Sequence, residues 1–332
     1  MSNQIRNKKI KDNAYICLSA ILRAKEARLL TAAQIERMLR EREFSAACRV
    51  AVEGGYEDMS CMDVSGVNAA LARFRAAEVA ELGQLVPDNA VLDLFRMKYG
   101  YHNAKVLVKS GGDPEKYRDL LSDSARFSME ELLEVYRSDV GDGALPAGYA
   151  AAIREARNAL ARTGNPQLAD FILDRAYFAE MLREAGKSRK PYIIDYVRAQ
   201  IDRANLSSVI RSPNSPRREE LLQEALIEGG TIGVEEILHA AETREELLAL
   251  YAGTDIGQAA AAADPADFEL ESEIALRRFV REASYIAFGP EVIIEYLSAL
   301  ENEITSLRII LTGILMGLPE EKLRERLRDR YV

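Results

Sequence analysis

The chain has 332 residues, with 44 Lys and Arg against 53 Asp and Glu, a formal net charge of −9. At roughly 150 residues per domain that length predicts two or three domains, and 48% hydrophobic with 29% charged residues excludes wholesale disorder. A pI near 5.1 argues against a whole-protein role in binding nucleic acid or anionic lipid. Three cysteines (Cys17, Cys48, Cys61) and two histidines (His102, His239) are too few and too scattered for a four-ligand zinc site. The odd cysteine count fits a reducing, cytosolic compartment.

Residues 1–12 are basic (Arg6, Lys8, Lys9, Lys11) but lack the apolar stretch of a secretory signal. Thr31 with Gln34 forms a capping-box pattern, and Gly54-Gly55 stands where a helix would end. A long helix opens with Val91–Phe95 after Pro87, Gly111-Gly112 stands where it would end, and Pro114 fits the first turn of a following helix. Ser128 with Glu131 is a second capping box, and Gly141-Asp142-Gly143 falls in a loop between helices. Pro166 starts another helical run, Pro191 the next, and Gly229-Gly230 ends a third. The Ala259–Ala263 run before Asp264-Pro265 reads equally as a short helix or a connector. After Pro290 the longest seam begins, and Pro319 opens a final helix carrying Leu323, Leu327 and Tyr331 on one face and Lys322, Arg324, Arg326, Arg328 and Arg330 beside them. No strand pair with an Asn-Gly or Asp-Gly turn is found, so the expected class is all-α. The longest apolar run, Ile309 to Leu318, is about half of the roughly 20 residues a spanning helix needs, so any membrane association is expected to be peripheral or through a partner.

The helical runs repeat. Val91-Leu92-Asp93-Leu94-Phe95, Ile193-Ile194-Asp195-Tyr196-Val197 and Ile293-Ile294-Glu295-Tyr296-Leu297 are alike, and each stands a few residues after a proline. With a constant offset of about 100 residues, Leu94, Met97, Tyr101, Ala104 and Val108 superpose on Tyr196, Ala199, Arg203, Leu206 and Ile210. They superpose again on Leu297, Leu300, Ile304, Leu307 and Leu311. This is one apolar seam used three times, with Arg203 its only charged member. The helix before the seam recurs as well, Asp170–Asp174 resembling Asp267–Glu271. A period near 100 predicts three similar multi-helix domains over 1–112, 113–213 and 214–332. In the third copy Ile294, Ile309, Ile310 and Leu315 widen the apolar face, which predicts burial in a bundle rather than a free coiled coil.

Catalytic patterns fail in turn. Ala185-Gly186-Lys187-Ser188 imitates the end of a phosphate-binding loop, but Met181 stands where the first glycine belongs, and Gly186 reads better as a helix C-cap. His102 and His239 lie in helical runs without a nucleophile at a suggestive spacing, so a structural reading is preferred. Cys48 and Cys61 read as small helix residues. The pairs Glu130-Glu131, Glu219-Glu220 and Glu235-Glu236 fall near helix starts, where the macrodipole favours negative charge, and read as capping groups. No catalytic, cofactor-binding or metal-binding residue is assigned, and no cofactor is expected.

Leu300-Glu301-Asn302-Glu303-Ile304-Thr305-Ser306-Leu307-Arg308, then Gly317-Leu318-Pro319 and Leu323–Leu327, ending Tyr331-Val332, resembles the C subunits of the archaeal and bacterial V-type ATP synthases, counterparts of the d subunit of the eukaryotic V-ATPase. Tyr15, Arg23, Ala24 and Leu29-Leu30, with Gly55-Tyr56, resemble that family's first helices. Tyr101-His102-Asn103 resembles an Asp-Tyr-His-Asn element, with Gly100 in place of Asp. Pro191-Tyr192-Ile193 and Ile201-Asp202 through Asn205-Leu206 resemble its second copy, and Ser306 stands in place of an Asn in the third. The resemblance implies a non-catalytic connector of the central stalk: a quasi-threefold funnel of three helical domains on the cytoplasmic side of the membrane. Its implied partners are the stalk subunits of the soluble headpiece and the proteolipid ring that carries protons or sodium ions. The same helical triplication also suits a repeat scaffold or adaptor unrelated to an ATPase, and a helical enzyme using some of the carboxylates is a third possibility.

Overall fold

A computed structural model describes residues 10–41, 43–139, 143–212, 217–262 and 264–327, and among these there are helices and no strand. The basic residues Arg6, Lys8 and Lys9, the pair Gly141-Asp142, Ala263, and Arg328, Arg330, Tyr331 and Val332 lie outside the described residues. Three short helices come first: α1 (Ile16–Glu26), α2 (Ala32–Arg40) and α3 (Phe44–Glu53). The first long pair follows, α4 (Val64–Leu85) and α5 (Ala90–Lys109), and then α6 (Met129–Arg137) and α7 (Ala147–Thr163). The second pair is α8 (Pro166–Ser188) and α9 (Pro191–Arg211). Four short helices, α10 (Arg218–Ala225), α11 (Val234–Ala240), α12 (Arg244–Tyr251) and α13 (Gly257–Ala260), lead to the third pair, α14 (Pro265–Arg281) and α15 (Glu291–Leu315), and α16 (Glu320–Leu327) ends the fold.

Local chemistry accounts for many of these boundaries. Both capping boxes form: the Thr31 and Ser128 hydroxyls accept from the backbone N–H of Gln34 and Glu131, whose side chains accept in return. Pro166 and Pro191 sit in the first turns of α8 and α9, where a missing N–H costs nothing. Of the Ala259–Ala263 run, Ala259 and Ala260 lie in α13, and Pro265 opens α14. One expectation is corrected: Gly186 does not cap α8, which runs on to Ser188 and ends on Arg189 in a left-handed conformation (φ 53°). Cys61 is likewise no helix residue but stands exposed in the turn before α4, whereas Cys48 is buried in α3.

The three seams are the cores of the long helices. Leu94, Met97, Tyr101, Ala104 and Val108 on α5 are all buried, as are Leu297, Leu300, Ile304, Leu307 and Leu311 on α15. On α9, Tyr196, Ala199 and Leu206 are buried and Ile210 is half-buried. Arg203, the charged exception, is held by α14: its guanidinium donates to Glu269 at 2.8 Å and to Ser272 at 2.9 Å.

The long helices pack in a cyclic order. Here α5 lies against α8, α9 against α14, and α15 returns against α4, so the second helix of each pair meets the first helix of the next. The remaining helices cover these joints. α6 and α7 pack on α5, α10 on α9 and α13 on α14, while α1 and α3 pack on α15 although most of the chain separates them from it. The first described helices therefore meet the last ones. Arg324 on α16 makes a bidentate pair with Glu36 on α2 at 2.8 Å, and Gly313 lets α16 approach α15 closely, since a Cβ there would lie 2.2 Å from Leu323.

Candidate functional site: a cavity among the long helices and the polar joints around it

A cavity of about 200 Å³ lies among the long helices, lined from all three seam helices. Lys98 on α5, Gln200 on α9 and Glu301 on α15 line it, and these are equivalent positions of the triplication, 102 and then 101 residues apart. Aromatic rings from the same helices complete its wall, with Phe95 stacked on Tyr196 at 6.3 Å between centroids. The cavity is polar at one side, where Tyr99 donates its hydroxyl to Glu301 and Arg277 donates to Asn302 at 3.1 Å. A larger hollow of about 660 Å³ opens on the outer surface between α7, α8 and α10. It touches no seam helix, and its Arg175 is already paired with Glu224 at 3.3 Å.

Each seam helix also carries a buried polar grip on the segment packed over it. Asn103 donates from Nδ2 to the Ser122 carbonyl and accepts from the Ser122 N–H, both at 2.9 Å. Asn205, its equivalent 102 residues on, does the same to Ile227 at 2.8 Å. A primary amide matches a peptide group in both donor and acceptor, so a single side chain satisfies a buried backbone unit. The third copy has Ser306 here, and its hydroxyl turns back to the Asn302 carbonyl at 2.9 Å. The holding role shifts one turn earlier, to Glu303. That carboxylate accepts from the Leu30 N–H and, at 2.8 Å, from the Tyr56 hydroxyl.

The residue equivalent to Glu303 in the second copy is Asp202, which accepts from the Thr231 N–H at 2.8 Å. Gly230 permits that approach, because a Cβ on it would stand 2.3 Å from the Asp202 carboxylate. In the first copy the position is Gly100, whose carbonyl accepts the Tyr149 hydroxyl at 2.6 Å. A buried tyrosine thus accompanies each joint: Tyr149 at Gly100, Tyr56 at Glu303, and Tyr251 within the field of Asp202. Burial pushes the Glu303 and Asp202 carboxyls up from the ordinary range, against the pull of the hydrogen bonds they accept.

Residues considered for chemistry in the sequence lie scattered over separate helices and turns. His102 is exposed, with Nε2 2.8 Å from the Leu120 carbonyl, and His239 is exposed on α11. Burial pushes the Cys48 thiol up to about 11, which suppresses the thiolate. Lys187 pairs with Glu184 at 2.6 Å in the last turn of α8, a helix C-terminus whose dipole repels phosphate. The carboxylate pairs lie in first turns, and Glu236 accepts from the Gly233 N–H at 3.1 Å. Among the described residues no group of three His, Cys, Asp or Glu could hold a metal ion, and no helix is long and apolar enough to cross a membrane. Asn103, Asp202, Asn205, Glu303 and Tyr56 stand in the repeated motifs, but the sequence alone assigns them no task; their shared spacing is the signal that could have found them.

The family model of the ATP synthase (C/AC39) subunit matches residues 18–326. The chain is 24% identical to the C subunit of the V-type sodium ATPase of Enterococcus hirae over 272 residues, 79% of this chain and 82% of that protein. It is 26% identical to the C subunit of the A-type ATP synthase of Thermococcus onnurineus over 170 residues, 47% of this chain and 45% of that protein. With nearly the whole chain matched, this protein belongs to the ATP synthase (C/AC39) subunit family, the non-catalytic C subunits of V/A-type rotary ATPases.

Proposed function

We propose that this protein is the central-stalk connector that couples the soluble rotor shaft to the membrane proteolipid ring, for proton or sodium transport. It works from the cytoplasmic side as a peripheral part of the membrane complex, touching stalk subunits at one end and the ring at the other. Its three similar domains, 1–112, 113–213 and 214–332, form a funnel-like, quasi-threefold body whose seam helices each reach across to the next domain.

The observation that carries this reading is the closed cycle of helix contacts around a cavity lined by equivalent positions of α5, α9 and α15. An axial seat framed by helices suits a shaft that delivers torque, because close-packed bundles transmit load with little deformation. The cavity, at about 200 Å³, is smaller than one turn of a helix about 10 Å wide, so side chains of a shaft tip fill it while the helix rests on its rim. The test is co-purification from native membranes followed by cross-linking from a photoreactive residue placed at Lys98. Cross-links to a stalk subunit are expected, and cross-links solely to proteins outside an ATPase would favour a scaffold instead.

A further inference from the structure

Lys98, Gln200 and Glu301 hold equivalent places on the three seam helices and line one cavity, yet they differ in charge. The position is a cation on α5, a neutral amide on α9 and an anion on α15. The other charged residues of the lining, Glu273 and Arg277 on α14, bring one charge of each sign, and Arg277 donates to Asn302 at 3.1 Å. The wall is neutral as a whole, but its charge is unevenly placed.

Each of the three side chains keeps bonding capacity in reserve. Lys98 is exposed and stands 5.6 Å from the centre of the Tyr99 ring; its ammonium has no hydrogen bond or ion pair among the described residues. Gln200 Nε2 is buried and has no acceptor among the described residues, a state that costs the folded chain lost hydration. Glu301 is fixed through one oxygen: Oε1 accepts the Tyr99 hydroxyl and lies 3.9 Å from Arg75. Arg75 is committed elsewhere, to the Ser122 and Ser124 hydroxyls at 3.3 and 3.2 Å and to the face of the Tyr99 ring at 4.4 Å. Glu301 Oε2 accepts from no group among the described residues, which leaves it for a donor from outside the chain.

Helix geometry alone makes the three positions interchangeable, so a shaft tip pressed on this rim meets three alternative seats. The charges make those seats unequal, because a like charge facing Lys98 or Glu301 rejects the wrong ones. We propose that Lys98, Gln200 and Glu301 form an electrostatic key that admits the shaft tip in one orientation. An anionic group of the tip faces α5, an uncharged hydrogen-bond acceptor faces α9, and a cationic group faces α15. Turned one place in either direction, the tip sets a like charge against Lys98 or against Glu301 and gains no pair. The key rests on the connector reading above and names the chemistry of the partner at the same cavity.

The test uses the assembled complex with a photoreactive side chain at Thr305, a half-buried wall residue of α15 outside the key. With the native trio, Thr305 should label one face of the stalk's tip. In Lys98→Glu the native seat brings like charges together at α5, whereas the seat that turns the cationic group to α5 forms a pair without a clash. Labelling should therefore move to the tip face that meets α9 in the native complex. Lys116→Glu, the same change of charge outside the cavity, should keep the native pattern. Lys98→Gln removes one pair and adds no clash, so it should keep the native face at lower yield. Labels spread over all faces in the native complex, labels unmoved by Lys98→Glu, or full yield in Lys98→Gln would overturn the key and leave the connector standing. Labels on no stalk subunit would overturn the connector reading and the key together.

Discussion

Glu303 shows how much a single buried carboxylate organises. It lies on α15, yet both groups it accepts from, the Leu30 N–H and the Tyr56 hydroxyl, belong to the start of the chain. Replacing it with Leu leaves both donors buried and unpaired, and about 1–3 kcal/mol of stability should be lost on urea unfolding. Glu303→Gln keeps an acceptor and should cost less. The carboxyl's pKa is raised in the folded state, so folding favours its protonated form. Its contribution is complete below the unfolded value near 4.3 and is lost as pH rises through the higher folded value. Native stability should therefore fall across that window relative to Glu303→Gln, and equal pH slopes for the two proteins would show that Glu303 does not titrate there. The amide grips make a parallel case. Asn205→Ala strands both the N–H and the carbonyl of Ile227, and a loss of about 1–3 kcal/mol is expected, with faster hydrogen exchange at residues 226–232. These roles were only partly legible beforehand. Asn103, Asn205, Asp202 and Glu303 all stand within repeated motifs, but a motif does not tell which distant peptide group its side chain will meet.

At the scale of helices, spacing carried nearly all the information. The seam residues of α5 and α15 are buried because a helix presents positions three and four apart on one face, and that face was apolar three times. Leu307 and Leu311 are both fully buried, so Leu307→Ala or Leu311→Ala should cost about 2–5 kcal/mol in chemical denaturation. A loss below about half a kcal/mol would place either residue on the surface. Gly313→Ala drives a methyl into Leu323 and should cost about 1–3 kcal/mol, with α16 loosened from α15. Helix ends were less legible than helix faces. Gly186 looked like a stop because glycine so often ends a helix, but nothing requires a left-handed residue there, and α8 continues two residues to Ser188. The Ala259–Ala263 run was ambiguous for a related reason: alanine favours helix without fixing its limits.

The whole molecule adds what no local pattern contains. The all-α class follows from the sequence, but the return of α15 onto α1, α3 and α4 does not, because contacts between helices far apart in the chain leave no periodic trace. That return closes the cycle of helix pairs and places Lys98, Gln200 and Glu301 around one cavity. Two apolar cores support this body: one runs from Tyr15 to Leu327 through all three helix pairs, and the other joins the end of α9 to α10–α14. A body so built suits the connector role proposed above. The most direct measurement removes the protein from the assembled ATPase and follows ATP hydrolysis and ion pumping separately. Hydrolysis by the headpiece should persist while pumping is lost; pumping that survives undiminished would contradict the connector account.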